Sequence, residues 1–343
     1  MRLKFRRPDD MHVHFRATTR MGAIAPYTAR HFARAVVMPN VPAITTPALV
    51  QDYRDQIRLV TKRTGFEPLM TIKAHVGLQP ADIVRAKEAG AVAIKVYFDG
   101  MTTGHDGLLL EHLEQMGPVW DTAQQHGMLV DWHGEHPGDE IDYLDAEGAV
   151  LPYIRRVVDD FPRLRHTIEH ISSREAVEWV ERAPDTVSAS ITVHHPLLTH
   201  NDLVGRGTYG TGSRLHPHYF CWPMAKRKED RNALVAAILS GNPKFFLGTD
   251  SAPHAIQDKL CDGGCAGLFT APVALACLAT MLEQHDSLDM FEGFTSEFGA
   301  RHYGLPLNEG FVELERVEWR VPDTYEAIFE PFLAGHTLPW QVL

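Results

Sequence analysis

Short apolar, β-branched runs recur along this chain at 35–38, 69–72, 92–97, 128–131, 166–168, 187–193 and 244–247. Between them lie segments whose apolar positions fall three and four apart, at 80–89, 108–126, 153–160, 174–182 and 228–239, the spacing of one face of a helix. One more extended segment carries His12 near the start. The pattern therefore predicts eight strands, each followed by a helical stretch. Strict alternation of this kind builds a parallel sheet, and eight repeats close it into a (β/α)8 TIM barrel of the α/β class.

Length and charge narrow the picture. With 343 residues and 44% hydrophobic content, the chain can fill one large barrel core. We read 1–343 as a single barrel domain with a C-terminal extension, from about residue 305 to 343, packing on it. The formal net charge of −11 argues against a nucleic-acid surface, because phosphates demand a basic stripe. The basic run Arg2 to Arg7 reads as a solvated first segment. No run reaches the length of a membrane span and the first residues lack the apolar core of a secretory signal, so a cytoplasmic location is expected. The four cysteines, Cys221, Cys261, Cys265 and Cys277, suit a reducing compartment. Cys261 and Cys265 flank Asp262-Gly263-Gly264, which invites a zinc-knuckle reading. No second Cys/His pair stands at matching distance, and free thiols in a glycine-rich loop are the better reading.

Candidate chemistry begins at His12-Val13-His14. Side chains two apart on a strand share a face, so the pair can grip one metal ion. With twenty histidines in the chain a chance pair is expected, and partners must decide. In a (β/α)8 barrel the loops at the C-terminal strand ends form the active-site mouth. His133, His170 and Asp250 all fall at such ends, and Lys95 lies within 92–97. Each alone has a structural alternative: a loop histidine, or an aspartate capping a turn. Lys95 between Ile94 and Val96 is harder to dismiss, because an enclosed ammonium needs a partner. Together the set suits binuclear hydrolysis, in which two divalent ions roughly 3.5 to 4 Å apart lower the pKa of a shared water. A desolvated lysine loses its proton readily, and its neutral amine can add carbon dioxide to give a two-oxygen carbamate ligand.

These residues resemble the ligand pattern of the amidohydrolase superfamily, and the words around them resemble the short, dimeric type of bacterial dihydroorotase. The words are Arg7-Pro8-Asp9-Asp10-Met11-His12-Val13-His14, Val37-Met38-Pro39-Asn40, His133-Gly134-Glu135, Glu169-His170-Ile171 and Leu247-Gly248-Thr249-Asp250-Ser251-Ala252-Pro253-His254. Cys265-Ala266-Gly267, Ala271-Pro272, Tyr303-Gly304-Leu305-Pro306 and Phe332-Leu333-Ala334-Gly335 extend the similarity over essentially the whole chain.

The resemblance implies reversible closure of N-carbamoyl-L-aspartate to (S)-dihydroorotate and water, a step of de novo pyrimidine biosynthesis. It implies two Zn2+ per subunit, bridged by carboxylated Lys95 and a hydroxide. His12, His14 and Asp250 would hold the more buried ion, and His133 and His170 the other. Asp250 would also be the catalytic proton carrier. Arg16, Asn40 and His254 would clamp the substrate carboxylate, with Ala266 and Trp222 as further contacts. Arg16 lies two residues past His14, and a guanidinium holds a carboxylate bidentately. The glycine-rich stretch 99–107 would be a lid closing on substrate through Thr102 and Thr103. A homodimer is implied as well.

Two positions depart from the family pattern: Pro137 follows His136 where a threonine is usual, and Trp222 stands where a leucine is typical. Two other readings remain. A hydantoinase or allantoinase would use the same scaffold, but those relatives build a β-sandwich from a longer leading segment than the eleven residues that precede His12. A catalytically silent subunit would have lost ligands, whereas every position of the pattern is present.

Overall fold

The predicted alternation is realised in the computed structural model, which describes residues 1–16, 20–40, 43–101, 107–212 and 214–343. Its strands are β1 (Arg2–Arg6), β2 (Asp9–Val13), β3 (Arg34–Val37), β4 (Glu67–Lys73), β5 (Ala91–Val96), β6 (Leu129–His133), β7 (His166–Glu169), β8 (Val187–Ile191), β9 (Phe245–Leu247), β10 (Phe311–Arg320) and β11 (Thr337–Val342). Strands β2 to β9 form one parallel sheet in chain order. The sheet closes where the segment after β9 meets β2. Val13 bridges Ser251, Asp250 N donates to His12 O at 2.9 Å, and His14 N donates to Ser251 O at 3.0 Å.

Local chemistry explains the helices. Arg174–Arg182 starts where the Ser173 side chain accepts from Ala176 N, and it buries Ala176, Val177 and Val180, an N-cap followed by a narrow apolar stripe. Pro47–Thr61 opens with Thr46 accepting from Leu49 N and with Pro47 in the first turn, where its missing N–H costs nothing. The expected helix at 108–126 is instead two, His112–Gln115 and Gly117–His126, separated at Met116. Pro118 belongs in a first turn and cannot continue a preceding helix. The helix expected at 153–160 begins earlier, at Ala146.

Strand alternation sorts the core into two. Ile94, Val96, Val130 and Trp132 pack with the helix layer. Met11, Val36, Met38, Leu69, Ala93, Leu129 and Phe246 form an apolar plug inside the barrel, closed from below by Ala300 and Tyr303. Above that plug the inward positions turn polar: Lys95, Asp131, His133 and Glu169 are all buried. The strand ends thus present chemistry on top of a dry floor.

The basic N-terminal run is not a solvated segment. It is β1, paired antiparallel with β10, which pairs in turn with β11. Arg2 and Lys4 stand opposite Glu315 and Glu313 and form ion pairs with them, while Phe5 is buried. Arg2, Lys4 and Arg6 alternate with Leu3 and Phe5 at strand period, but the partner lies at the far end of the chain. Trp340 of β11 is fully buried in the main core, and its indole N–H donates to Glu283. Among the described residues no helix is long and apolar enough to cross a membrane.

Replacing Trp340 by alanine should lower the unfolding free energy by about 3–5 kcal/mol, the cost of emptying a large aromatic site. Urea titration with an unchanged m-value checks this, and a loss below about 1 kcal/mol would mean that β11 is not integrated with the barrel.

Candidate metal centre

Four strand ends deliver ligating side chains to one spot. His12 Nε2 and His14 Nε2 lie 3.1 Å apart, and Asp250 Oδ1 is 3.4 Å from the first and 3.2 Å from the second. The His170 ring centroid is 4.8 Å from those of both His12 and His133. Lys95 of β5 is wholly enclosed and pairs with Glu169 Oε2, while Glu169 Oε1 is 2.9 Å from His12 Nδ1. Burial pushes the proton affinity of all four histidines down, most strongly for His12 and His170. The rings are therefore neutral, with lone pairs to offer. Burial also lowers Lys95, against the pull of Asp131 and Asp250. Two neutral imidazole nitrogens and a carboxylate oxygen crowded together lack enough protons to satisfy one another, and a divalent cation would supply what is missing.

Three of the four histidines have an outer polar neighbour at their ring. Besides Glu169 behind His12, Asn40 Oδ1 lies 2.9 Å from His14 Nδ1, and Glu135 Oε2 lies 3.1 Å from His133 Nε2. His170 keeps a buried Nδ1 without a hydrogen-bond partner. Such second partners set tautomer and ring orientation at metal sites. Burial would raise Glu135, but Lys226 and His133 together hold it below the usual carboxylate range. Lys226 Nζ lies 3.3 Å from Glu135 Oε1 and donates to Tyr143 O at 2.8 Å.

Backbone strain concentrates at this mouth. Arg16, His170 and Asp250 have φ of 51°, 43° and 45°, in the left-handed region that costs a non-glycine residue about 1–3 kcal/mol. Neighbours hold two of them: His170 N donates to Ser190 Oγ at 2.8 Å, and Asp250 N is bound to His12 O. Gly248 must be glycine, because a Cβ there would stand 2.9 Å from Ser190 Cβ and 3.0 Å from His12 Cβ. Since β2 ends at Val13, strand alternation does not carry Arg16 to the site; its left-handed backbone does.

The ligands open into a cavity of about 430 Å³, also lined by Arg16, Asn40, Tyr97, Trp222 and Ala266. Arg16 is buried, and its Nη2 lies 2.9 Å from His254 Nε2, while its Nε and Nη1 have no hydrogen-bond partner. Burial and the Arg16 charge push His254 down to about 3, so its neutral ring accepts from the guanidinium. One wall is tied together by Lys259, whose ammonium donates to Phe220 O, Cys265 O and Gly267 O at 2.7, 2.8 and 2.9 Å. Cys265 lines the cavity and Cys261 is exposed. Thr102 and Thr103, expected to close over substrate, lie outside the described residues.

Sequence reading missed Glu169 and Glu135 beside the histidines, although Glu169 adjoins His170 and Glu135 lies two residues past His133. It also missed Tyr97, two residues past Lys95, whose buried hydroxyl lacks a partner. Lys226 and Lys259 carried no sequence signal.

The chain as a whole is similar to known proteins. No protein-family model matches the chain. The dihydroorotase of Teredinibacter turnerae is 41% identical over 342 residues, covering 98% of this chain and 97% of the relative. That of Shewanella frigidimarina is 42% identical over 344 residues with the same coverage. Among solved structures, dihydroorotase from Saccharomyces cerevisiae in complex with 5-fluoroorotic acid superposes with a TM-score of 0.91 at 30% identity, covering 100% of this chain and 98% of that one. The Campylobacter jejuni dihydroorotase gives 0.89 at 32%, with 99% and 97% covered. An L-hydantoinase from Arthrobacter aurescens shares the fold at a TM-score of 0.82 but only 15% identity, with 99% of this chain and 83% of that one covered.

Substituting Lys226 by methionine should cost about 3–5 kcal/mol, because Glu135 is left buried without its cation. Adding Glu135→Gln should recover most of that loss. Urea unfolding of both variants measures it, and equal losses would show that the pairing does not matter.

Proposed function

This chain belongs to the dihydroorotase family and catalyses the reversible closure of N-carbamoyl-L-aspartate to (S)-dihydroorotate with release of water; we propose that it does so with two zinc ions held at the barrel mouth. The observation that carries the substrate reading is Arg16. Its guanidinium is buried beside the ligand cluster, with two nitrogens lacking protein partners, and a desolvated cation of this shape calls for a carboxylate. A neutral hydantoin ring would leave it unpaired.

The residues fit the metals. His12, His14 and Asp250 would hold one ion, His133 and His170 the second, and Lys95, once carboxylated, would join them. Imidazole nitrogen mixed with carboxylate oxygen suits zinc. When bound, the ions supply Lewis acidity: a water made nucleophilic near neutral pH and an amide carbonyl polarised for attack.

The chain's own groups do the rest. Asp250 lies between His12 and His14 and faces the cavity. In hydrolysis it takes the proton of the attacking water and hands it to the ring nitrogen as the amide bond breaks. In synthesis it takes a proton from the ureido nitrogen as that atom attacks the side-chain carboxyl carbon, and passes it to the departing oxygen. Arg16, steadied by His254, binds the substrate's free carboxylate, with Asn40 beside it. Ala266 and Trp222 line the same cavity. Family kinship also supports a cytoplasmic homodimer acting on this small molecule, with residues 305–343 as an extension of a single barrel domain.

Elemental analysis of enzyme purified without chelator should find two zinc ions per subunit, and dihydroorotate should be hydrolysed in preference to hydantoin and allantoin. Arg16→Met should reduce kcat/KM for dihydroorotate by about two orders of magnitude, the worth of a charge-assisted bidentate contact, with zinc content unchanged. Preference for hydantoin, or an Arg16 variant with wild-type kinetics, would defeat the assignment.

A further inference from the structure

Apart from the barrel-mouth cluster, one other group of metal-ligating side chains converges among the described residues: His194, His195 and Cys221, all buried. The two histidines lie just past β8, and Cys221 precedes Trp222 of the cavity wall. One ligand atom from each falls within 4.8 Å of the others. Cys221 Sγ is 4.0 Å from His195 Nε2, and both address one acceptor, the Pro223 carbonyl, at 3.1 and 2.9 Å. Thr192 Oγ1 lies 2.9 Å from His195 Nδ1 and so holds the ring from behind, as outer partners do at metal sites. His194 is the anomaly. It is fully enclosed, yet neither of its ring nitrogens has a hydrogen-bond partner. An orphaned buried N–H of this kind costs about 1–3 kcal/mol.

We propose that His194, His195 and Cys221, with the Pro223 carbonyl oxygen as fourth donor, form a binding site for a further thiophilic divalent cation, with zinc as the natural occupant. Two imidazoles, a thiolate and an oxygen make a tetrahedral set of the kind that zinc prefers. Bond lengths of about 2.0 Å to nitrogen and 2.3 Å to sulfur set tetrahedral donors about 3.3–3.6 Å apart, so Cys221 Sγ and His195 Nε2 close slightly from 4.0 Å while the Pro223 oxygen moves out from 3.1 and 2.9 Å. On binding, the Cys221 thiol proton leaves to solvent and the thiolate takes the cation. The His195 proton moves from Nε2 to Nδ1, where Thr192 Oγ1 accepts it, and the freed Nε2 lone pair binds. His194 gains the partner it lacks. Because Cys221 adjoins Trp222, occupancy would also stiffen one wall of the cavity.

The barrel-mouth cluster contains no sulfur, so cobalt distinguishes the two sites. Enzyme loaded with Co2+ should show a near-ultraviolet thiolate-to-cobalt charge-transfer band. That band should persist in Cys261→Ser, disappear in Cys221→Ser and weaken in His194→Gln, with metal analysis finding one cation fewer per subunit in Cys221→Ser. A band that survives Cys221→Ser, or its absence from the wild type at saturating cobalt, overturns the proposal. Should Cys221→Ser fail to fold, the band in His194→Gln decides, and an undiminished one counts against the site. Failure of the barrel-mouth reading would show differently, as lost activity and lost nitrogen- and oxygen-bound metal with the sulfur band intact.

Discussion

At the centre of this barrel an enclosed lysine meets an enclosed glutamate, and most of the upper structure follows from that contact. Neither charge reaches water, so each must be neutralised or paired where it stands. Glu169 meets the need with one oxygen on Lys95, and its other oxygen stands 2.9 Å from His12 Nδ1. In the unmodified chain one carboxylate therefore stands against both the buried lysine and the His12 ring. Beneath it Asp131 accepts from the Tyr303 hydroxyl at 2.9 Å, and Thr167 lies 3.2 Å from that hydroxyl. Beside it Glu147 takes the backbone and hydroxyl donors of Ser172 and Ser173. The upper barrel is a polar core held by its partners, and the apolar plug below supplies the burial that stabilises it.

Division of labour between strands and loops follows. Strands β5, β6 and β7 carry Lys95, His133 and Glu169 as rigid, regularly alternating inward positions. Other residues of the site sit past the strand ends on backbone the strands alone would not adopt: Arg16, His170 and Asp250 are all left-handed. Close approach at Gly248 and the three carbonyls gathered by Lys259 hold that geometry. Preorganised cavities cost stability locally and recover it from the scaffold.

What could be read in the sequence differs by element. Seven of the eight barrel strands were visible as short runs buried on both faces, which tend to be apolar, whereas β2 was found through its histidine pair. Helices 174–182 and 228–239 matched to the residue, since caps and apolar stripes are local. The candidate ligands stood out as polar residues in places where apolar ones are expected. The first strand was misread because its pattern, charged residues alternating with Leu3 and Phe5, acquires meaning only beside β10. Lys226 and Lys259 were illegible for a related reason: nothing around them in the chain shows that carbonyls and a carboxylate from distant segments will surround their ammonium groups.

The sequence by itself determined the barrel, the candidate ligands and the family, because these rest on local periodicity and on residue types whose chemistry does not depend on distant neighbours. Only the tertiary structure decided that Arg16 turns into the cavity beyond its strand, that Glu169 and Glu135 stand beside the histidines, and that His194, His195 and Cys221 come together. Those outcomes depend on which segments meet after closure and on the electrostatic demand that enclosed polar groups find partners, and no stretch of chain carries that information alone.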